Sequence, residues 1–159
     1  MSGRRRSLRR WLQSTSNRTF IVWPVLLLAL SAATERKGGV PRINPWGLPL
    51  MCWGYAQYRW VGRLRTARGG GGPGLSNPPE RLVIDGPYAL VRNPMYLGHL
   101  IFLAGLGVSL GRAAWLAFAA HALWFDRRAR CDEAQLSTQF GAPYLDYLSR
   151  VKRWIPGLY

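Results

Sequence analysis

Two groups of residues in this chain are suited to chemistry. The first is GPYALVRNPMY, residues 86 to 96, which sets Tyr88, Arg92 and Tyr96 around the pair Asn93-Pro94. Asn followed by Pro is what a helix start requires, the first as N-cap and the second at the opening helical position. Donors and ring faces gathered at a helix N-terminus, which already favours anions, make a mouth for a polar cofactor. Singly, each has a plainer use, because tyrosines anchor and arginines snorkel at a membrane boundary. The second group is Asp132-Glu133, in a chain with only 7 acidic residues. Ala129, Glu133, Leu136 and Phe140 recur at helical spacing, which sets Glu133 on a buried stripe of a helix ended by Gly141 to Pro143. The alternative is a surface pair answering Arg128 and Arg130.

The elements that must position these groups follow from where charge and apolarity alternate. The chain has 159 residues, 48% of them hydrophobic, with 8 Trp and a formal net charge of +15. Four apolar runs stand out at residues 19 to 33, 45 to 61, 96 to 110 and 113 to 125. Arginine-rich segments separate them. If all four cross a membrane, one side receives six arginines before residue 19, five in residues 62 to 93 and six cationic residues after Phe125. The other side receives four, at Arg36, Lys37, Arg42 and Arg112, and Arg59 is left at the end of a run. That asymmetry is the positive-inside pattern for a cytosolic N-terminus. The runs are short against the ~20 residues a straight span wants, so aromatic and arginine flanks must make up the difference. A soluble helical bundle is the competing architecture. The first run starts too late, and is too poor in a small-residue cleavage site, for a removed signal peptide.

Cys52 and Cys131 carry no CxxC and no neighbouring His pair, so neither zinc nor a disulfide framework is expected. The glycine run at residues 69 to 74 reads as a flexible linker, since no Lys-Ser/Thr or helix start follows it. The whole is one membrane domain, residues 1 to 159. It divides into a basic cytosolic tail (1–18), a first helical pair (19–61), a cytosolic Gly/Pro-rich segment (62–93) and a cofactor-binding half (94–159).

Gly86-Pro87-Tyr88, Val91 to Gly98, Asp132-Glu133 and, beyond them, Leu136, Phe140-Gly141, Tyr144 and Tyr147 resemble the C-terminal half of the isoprenylcysteine carboxyl methyltransferase family and its phospholipid methyltransferase relatives. The resemblance covers residues 80 to 156. It implies an integral membrane methyltransferase using S-adenosylmethionine on a lipophilic acceptor. Carried over by position, it implies cofactor contacts from Leu82, Val83, Tyr88, Arg92, Asn93, Pro94, Met95, Tyr96, Asp132 and Glu133, with His99 as a further pocket residue. Arg128 would face the substrate, and Arg128 and Glu133 form the catalytic pair. Asn93 stands where the family usually has His, Asp132 where it has Glu, and Lys152 where Pro is common. Of the cofactor's groups, the ammonium or ribose suits Asp132 or Glu133, the carboxylate suits Arg92 or the helix N-terminus, and adenine suits Tyr88 or Tyr96.

The expected protein is therefore an all-α integral membrane bundle of about four transmembrane helices with a short cytosolic C-terminal helix. Both termini are cytosolic, membrane lipids surround it, and no metal or nucleic acid is bound. A non-catalytic membrane or lipid-binding protein keeping the fold is the alternative, favoured by Asn93. A nucleic-acid binder comes third, since the arginines punctuate apolar runs and form no stripe. The acceptor and the oligomeric state are left open.

Overall fold

The computed structural model describes residues 11–34, 43–72 and 78–157. Most of the basic tail, the connection bearing Arg36, Lys37 and Arg42, and the end of the glycine run lie outside them. Among the described residues the fold is all-helical. The helices are α1 (Thr15–Thr34), α2 (Leu48–Gly69), α3 (Pro94–Leu110), α4 (Arg112–Phe140) and α5 (Ala142–Arg150). A four-residue turn of helix, Pro87–Leu90, precedes α3.

α3 is the centre of the molecule. Its residues Gly98, His99, Phe102, Leu103, Gly105 and Leu106 are all buried, because α2, α4 and α1 pack on different sides of it. What lets α2 come so close is a pair of glycines on each side at the same spacing, Gly47 and Gly54 against Gly98 and Gly105. A Cβ on Gly98 would stand 2.8 Å from the Gly54 carbonyl oxygen, and one on Gly105 would stand 2.7 Å from that of Gly47. Backbone thus meets backbone, the packing that small residues provide where apolar side chains gain nothing by leaving lipid. α4 folds back on α3 through Gly111 at φ +79°, a left-handed turn that glycine adopts without strain. Gly107 admits the Trp115 ring in the same corner.

α1 completes the bundle through Phe20, Trp23 and Leu27, which pack on Phe102, Leu103 and Ala117. It contains a π-helical turn at Arg18–Val22. Beside that turn the Phe20 ring stacks on His99 with centroids 4.6 Å apart, and Thr19 is fully buried.

Two helices outrun the apolar segments read from sequence. α2 continues past Val61 to Gly69, so Arg63, Arg65 and Arg68 are helical, and α4 continues past Phe125 to Phe140. The described part of the glycine run is also tied down. Gly69 carbonyl oxygen accepts from the Glu80 and Arg81 amides at 2.7 and 2.9 Å, and Glu80 Oε1 accepts from the Gly71 amide at 3.2 Å. Of the four long helices, α1 alone is both long and apolar enough by itself to cross a membrane, and α3 is apolar but has 17 residues. Broad apolar faces remain exposed on three of them, with Leu26 and Leu30 on α1, Trp53 and Trp60 on α2, and Leu116 and Leu123 on α4.

The glycine contacts give a direct stability test. Gly98→Ala and Gly105→Ala each push a methyl into backbone, an overpacking that costs about 1 to 3 kcal/mol. Gly62→Ala meets nothing nearer than the Met95 methyl at 3.4 Å and is expected to be nearly neutral. Thermal unfolding of the three variants in detergent should separate the first two from the third.

Candidate functional site

The 91 to 93 segment, the second half of α4 and the chain after α5 meet at Glu133. Arg153 approaches its carboxylate as a fork, Nε to Oε1 at 3.0 Å and Nη2 to Oε2 at 2.7 Å. Arg92 approaches from the other side, Nε to Oε1 at 3.0 Å and Nη2 to Oε2 at 3.4 Å, while Asn93 Nδ2 donates to Oε1 at 3.3 Å. Burial alone would raise the Glu133 pKa, but the hydrogen bonds and charges of Arg153 and Arg92 outweigh it and hold the carboxyl below its ordinary value. Arg92 has little donor capacity left. Its Nη1 donates to the carbonyls of Leu148 and Val151 at 3.0 and 2.7 Å, and its amide to that of Lys152 at 2.9 Å, in an isolated parallel bridge. Asp126 continues the network, accepting from Arg130, Arg153 and the Trp154 indole.

Beside this hub lies a half-open cleft of about 90 Å³. Leu82, Val83, Met95 and Leu136 give it apolar walls, and Tyr88, Tyr96, Tyr144 and Tyr147 give it rings. Its polar groups are Arg65, Arg92, Asn93 and Asp132. Tyr147 donates to the Tyr88 carbonyl at 2.7 Å, fixing the Pro87–Leu90 turn against α5. Enclosure pushes the Tyr88 phenol up to about 12, and the Tyr147 phenol upward as well, so both are hydrogen-bonding neutral groups at physiological pH. Asp132 accepts from the Tyr96 hydroxyl at 2.5 Å and from Arg128 Nε at 3.0 Å.

The site residues expected from sequence are therefore distributed unevenly. Leu82, Val83, Tyr88, Arg92, Asn93, Met95, Tyr96 and Asp132 come together on the cleft. Glu133 stands behind it, with both oxygens accepting from arginines, whereas Asp132, paired with Tyr96 and Arg128, is part of the cleft lining. Arg128 pairs with Asp132 at the rim. Pro94 is buried in the first turn of α3, where its carbonyl accepts from Gln57 Nε2 at 3.0 Å. His99 lies a turn deeper, boxed by the rings of Phe20, Tyr58 and Phe125, and does not open on the cleft. Asn93 holds the N-cap position, but its side chain makes no cap hydrogen bond; its Nδ2 donates to Glu133. Arg65 and Arg153 were not among the expected residues. Arg65 sits on the stretch of α2 taken for loop, and Arg153 opens the closing Arg-Trp-Ile-Pro, which matches the family pattern after Lys152 but was given no role in the site.

Residues 72–142 match the phospholipid methyltransferase family. The chain is similar to protein-S-isoprenylcysteine O-methyltransferase of Schizosaccharomyces pombe, 37% identical over 82 residues, covering 50% of this chain and 35% of that protein. It is also similar to protein-S-isoprenylcysteine O-methyltransferases B and A of Arabidopsis thaliana, each 35% identical, over 80 and 77 residues. The aligned stretch covers 40% and 39% of those two proteins, so the chain spans well under half the length of the relatives it matches. This segment, which carries the Asn93-Pro94 start of α3 and the acidic pair of α4, is thus similar to the phospholipid methyltransferase family and to protein-S-isoprenylcysteine O-methyltransferases.

Glu133→Gln would leave two enclosed guanidiniums facing a neutral amide, a loss of about 3 kcal/mol. Because the Glu133 pKa is lowered in the folded state, its contribution is complete above the ordinary carboxyl value and fades as the pH falls through the lowered one. Unfolding midpoints measured from pH 7 downward should decline for the natural protein and decline less steeply for Glu133→Gln.

Proposed function

We propose that this protein is an integral membrane methyltransferase that uses S-adenosylmethionine to methylate a lipophilic acceptor. In this reading α1 to α4 all span the bilayer and both termini are cytosolic. The observation that carries the reading is the cleft: it is built mainly from the family-matched segment and it lies at the arginine-rich end of the bundle. The exposed apolar faces of α1, α2 and α4 support a lipid surround. Their Trp53, Trp60 and Trp115 suit the aromatic belts of such proteins. Arg63, Arg65 and Arg68 cluster on the last two turns of α2, at the cleft end, in keeping with the charge asymmetry of the sequence.

The residues of the cleft fit the cofactor by chemistry. Asp132 is the carboxylate that lines it, suited to an ammonium or to ribose hydroxyls. Arg65 brings a cation to the wall for a carboxylate, and the apolar walls with the Tyr88 and Tyr96 rings suit adenine. When bound, S-adenosylmethionine supplies an electrophilic methyl group on a positively charged sulfur. The protein's own part is alignment and exclusion of water, which favour a displacement in which charge is neutralised. Glu133, Arg92 and Arg153 serve by fixing the 91 to 93 segment against the end of the chain. Asn93 in place of the usual His is compatible with this, since both side chains can donate to Glu133.

Asp132→Asn removes a charged hydrogen-bond partner and should weaken S-adenosylmethionine binding about ten- to a hundredfold, measured on purified protein in nanodiscs. Equal affinity in the variant would remove Asp132 from the site, and no binding by the natural protein would favour the non-catalytic alternative. Turnover on membranes with methyl-labelled cofactor, followed by identification of the labelled lipid, tests the activity itself. Asn93→His should change that turnover by no more than about fivefold, the worth of one hydrogen bond. A much larger gain would mean that the position must move a proton and that the natural chain is impaired.

A further inference from the structure

Beyond the cleft, a groove of about 640 Å³ lies between α1 and α2. It is amphipathic along its length. Ile21, Leu48 and Met51 line its apolar part, while Ser14, Ser16, Asn17 and Arg59 gather at the other end. The stretch of α2 from Leu48 to Arg59 is about 16 Å long at the helical rise, the scale of a lipid chain rather than of a small polar molecule.

At its polar end the groove runs on. Tyr58 and Arg59 also border a second recess, of about 440 Å³, with Arg63, Thr66 and Met95. Met95 is in turn a wall of the cleft, so one side chain separates the recess from the candidate cofactor site. Gly62 lines the recess as well, and a Cβ there would be in ordinary contact with the Met95 methyl at 3.4 Å. Arg59 and Arg63 follow each other by one helical turn at this junction. Among the described residues neither has a carboxylate partner, whereas Arg68, Arg92, Arg128, Arg130, Arg150 and Arg153 all have one. An arginine at the end of an apolar run can merely snorkel. Two in succession, unpaired, at the polar end of a chain-length groove, make a receptor for a negative head group.

We propose that the α1–α2 groove is a binding site for a lipid with an acidic head group. Its hydrocarbon chain lies between Ile21 and Met51, and its head is held by Arg59 and Arg63 next to Met95. As the acceptor's seat, the groove rests on the methyltransferase reading; as a lipid site, it stands on the geometry alone.

The test uses the whole protein in nanodiscs of neutral phosphatidylcholine, with a stearic acid carrying a mid-chain diazirine as probe and adducts mapped by peptide mass spectrometry. Adducts should concentrate on Ile21, Leu48, Met51 and Cys52, and oleate should compete where methyl oleate does not. The double variant Arg59→Gln, Arg63→Gln should lower groove labelling about tenfold. Both residues are exposed, so the variant is expected to fold, and S-adenosylmethionine binding by the same preparation checks the cleft independently. Labelling spread evenly onto Leu116 and Leu123 of α4, equal competition by the ester, or undiminished labelling in the double variant would overturn the proposal. If the cofactor binds while the groove fails, the groove inference falls alone. If the groove is labelled without cofactor binding, the methyltransferase reading falls alone.

Discussion

The carboxylate of Glu133 between two guanidiniums is the contact on which the candidate site depends. It joins three stretches of chain, the loop before α3, the second half of α4 and the segment after α5, of which only the first and last are also linked by a backbone bridge. Taking a carboxylate and two arginines out of water is costly, and only dense hydrogen bonding makes the arrangement tolerable. Here both oxygens accept from both arginines, and Asn93 adds a further donor. The same saturation that makes Glu133 a good strut makes it a poor ligand. Its neighbour Asp132, one residue earlier and rotated round the helix, is left to face the cleft.

A second constraint works at the level of the bundle. The glycines that bring α2 and α3 into backbone contact fix where Arg65 lies relative to Tyr88 and Met95, because a helix that cannot back away cannot shift its far end either. Gly69, whose Cβ would meet the Val83 side chain at 2.9 Å, carries that close fit into the loop that walls the cleft. The site is thus assembled from a rigid helix pair on one side and an ion-pair network on the other.

Much of this was legible in the sequence for identifiable reasons. The start of α3 followed from Asn93-Pro94, the continuation of α4 from the spacing of Ala129, Glu133 and Leu136, and its end from Gly141. The end of α2 was not legible, because the arginines at 63, 65 and 68 look like loop charge. Helical spacing of charge is no less helical than spacing of leucine, but it gives no apolar stripe to detect. The role of Asn93 was half legible. Its position as N-cap is local information, but the turn of its side chain toward Glu133 depends on a residue far along the chain. For the same reason the pairing of Arg153 with Glu133 could not be read from spacing.

The π-helical turn in α1 makes chain length there a fixed quantity. One residue more than an α-helix needs is accommodated between Arg18 and Val22, and the segments before and after it are rotated relative to each other by about 100°. On one side of the turn Ser16 reaches the Tyr58 hydroxyl; within it Arg18 lies over the Trp124 ring and Phe20 covers His99. Many side chains could be exchanged along this stretch without changing those directions. A deletion of a single residue could not be absorbed so easily, since restoring regular helix would swing everything upstream to a different face. Homologous chains that align through this turn without a gap should therefore share its contacts, and those with a one-residue gap should have built the entrance to the bundle differently.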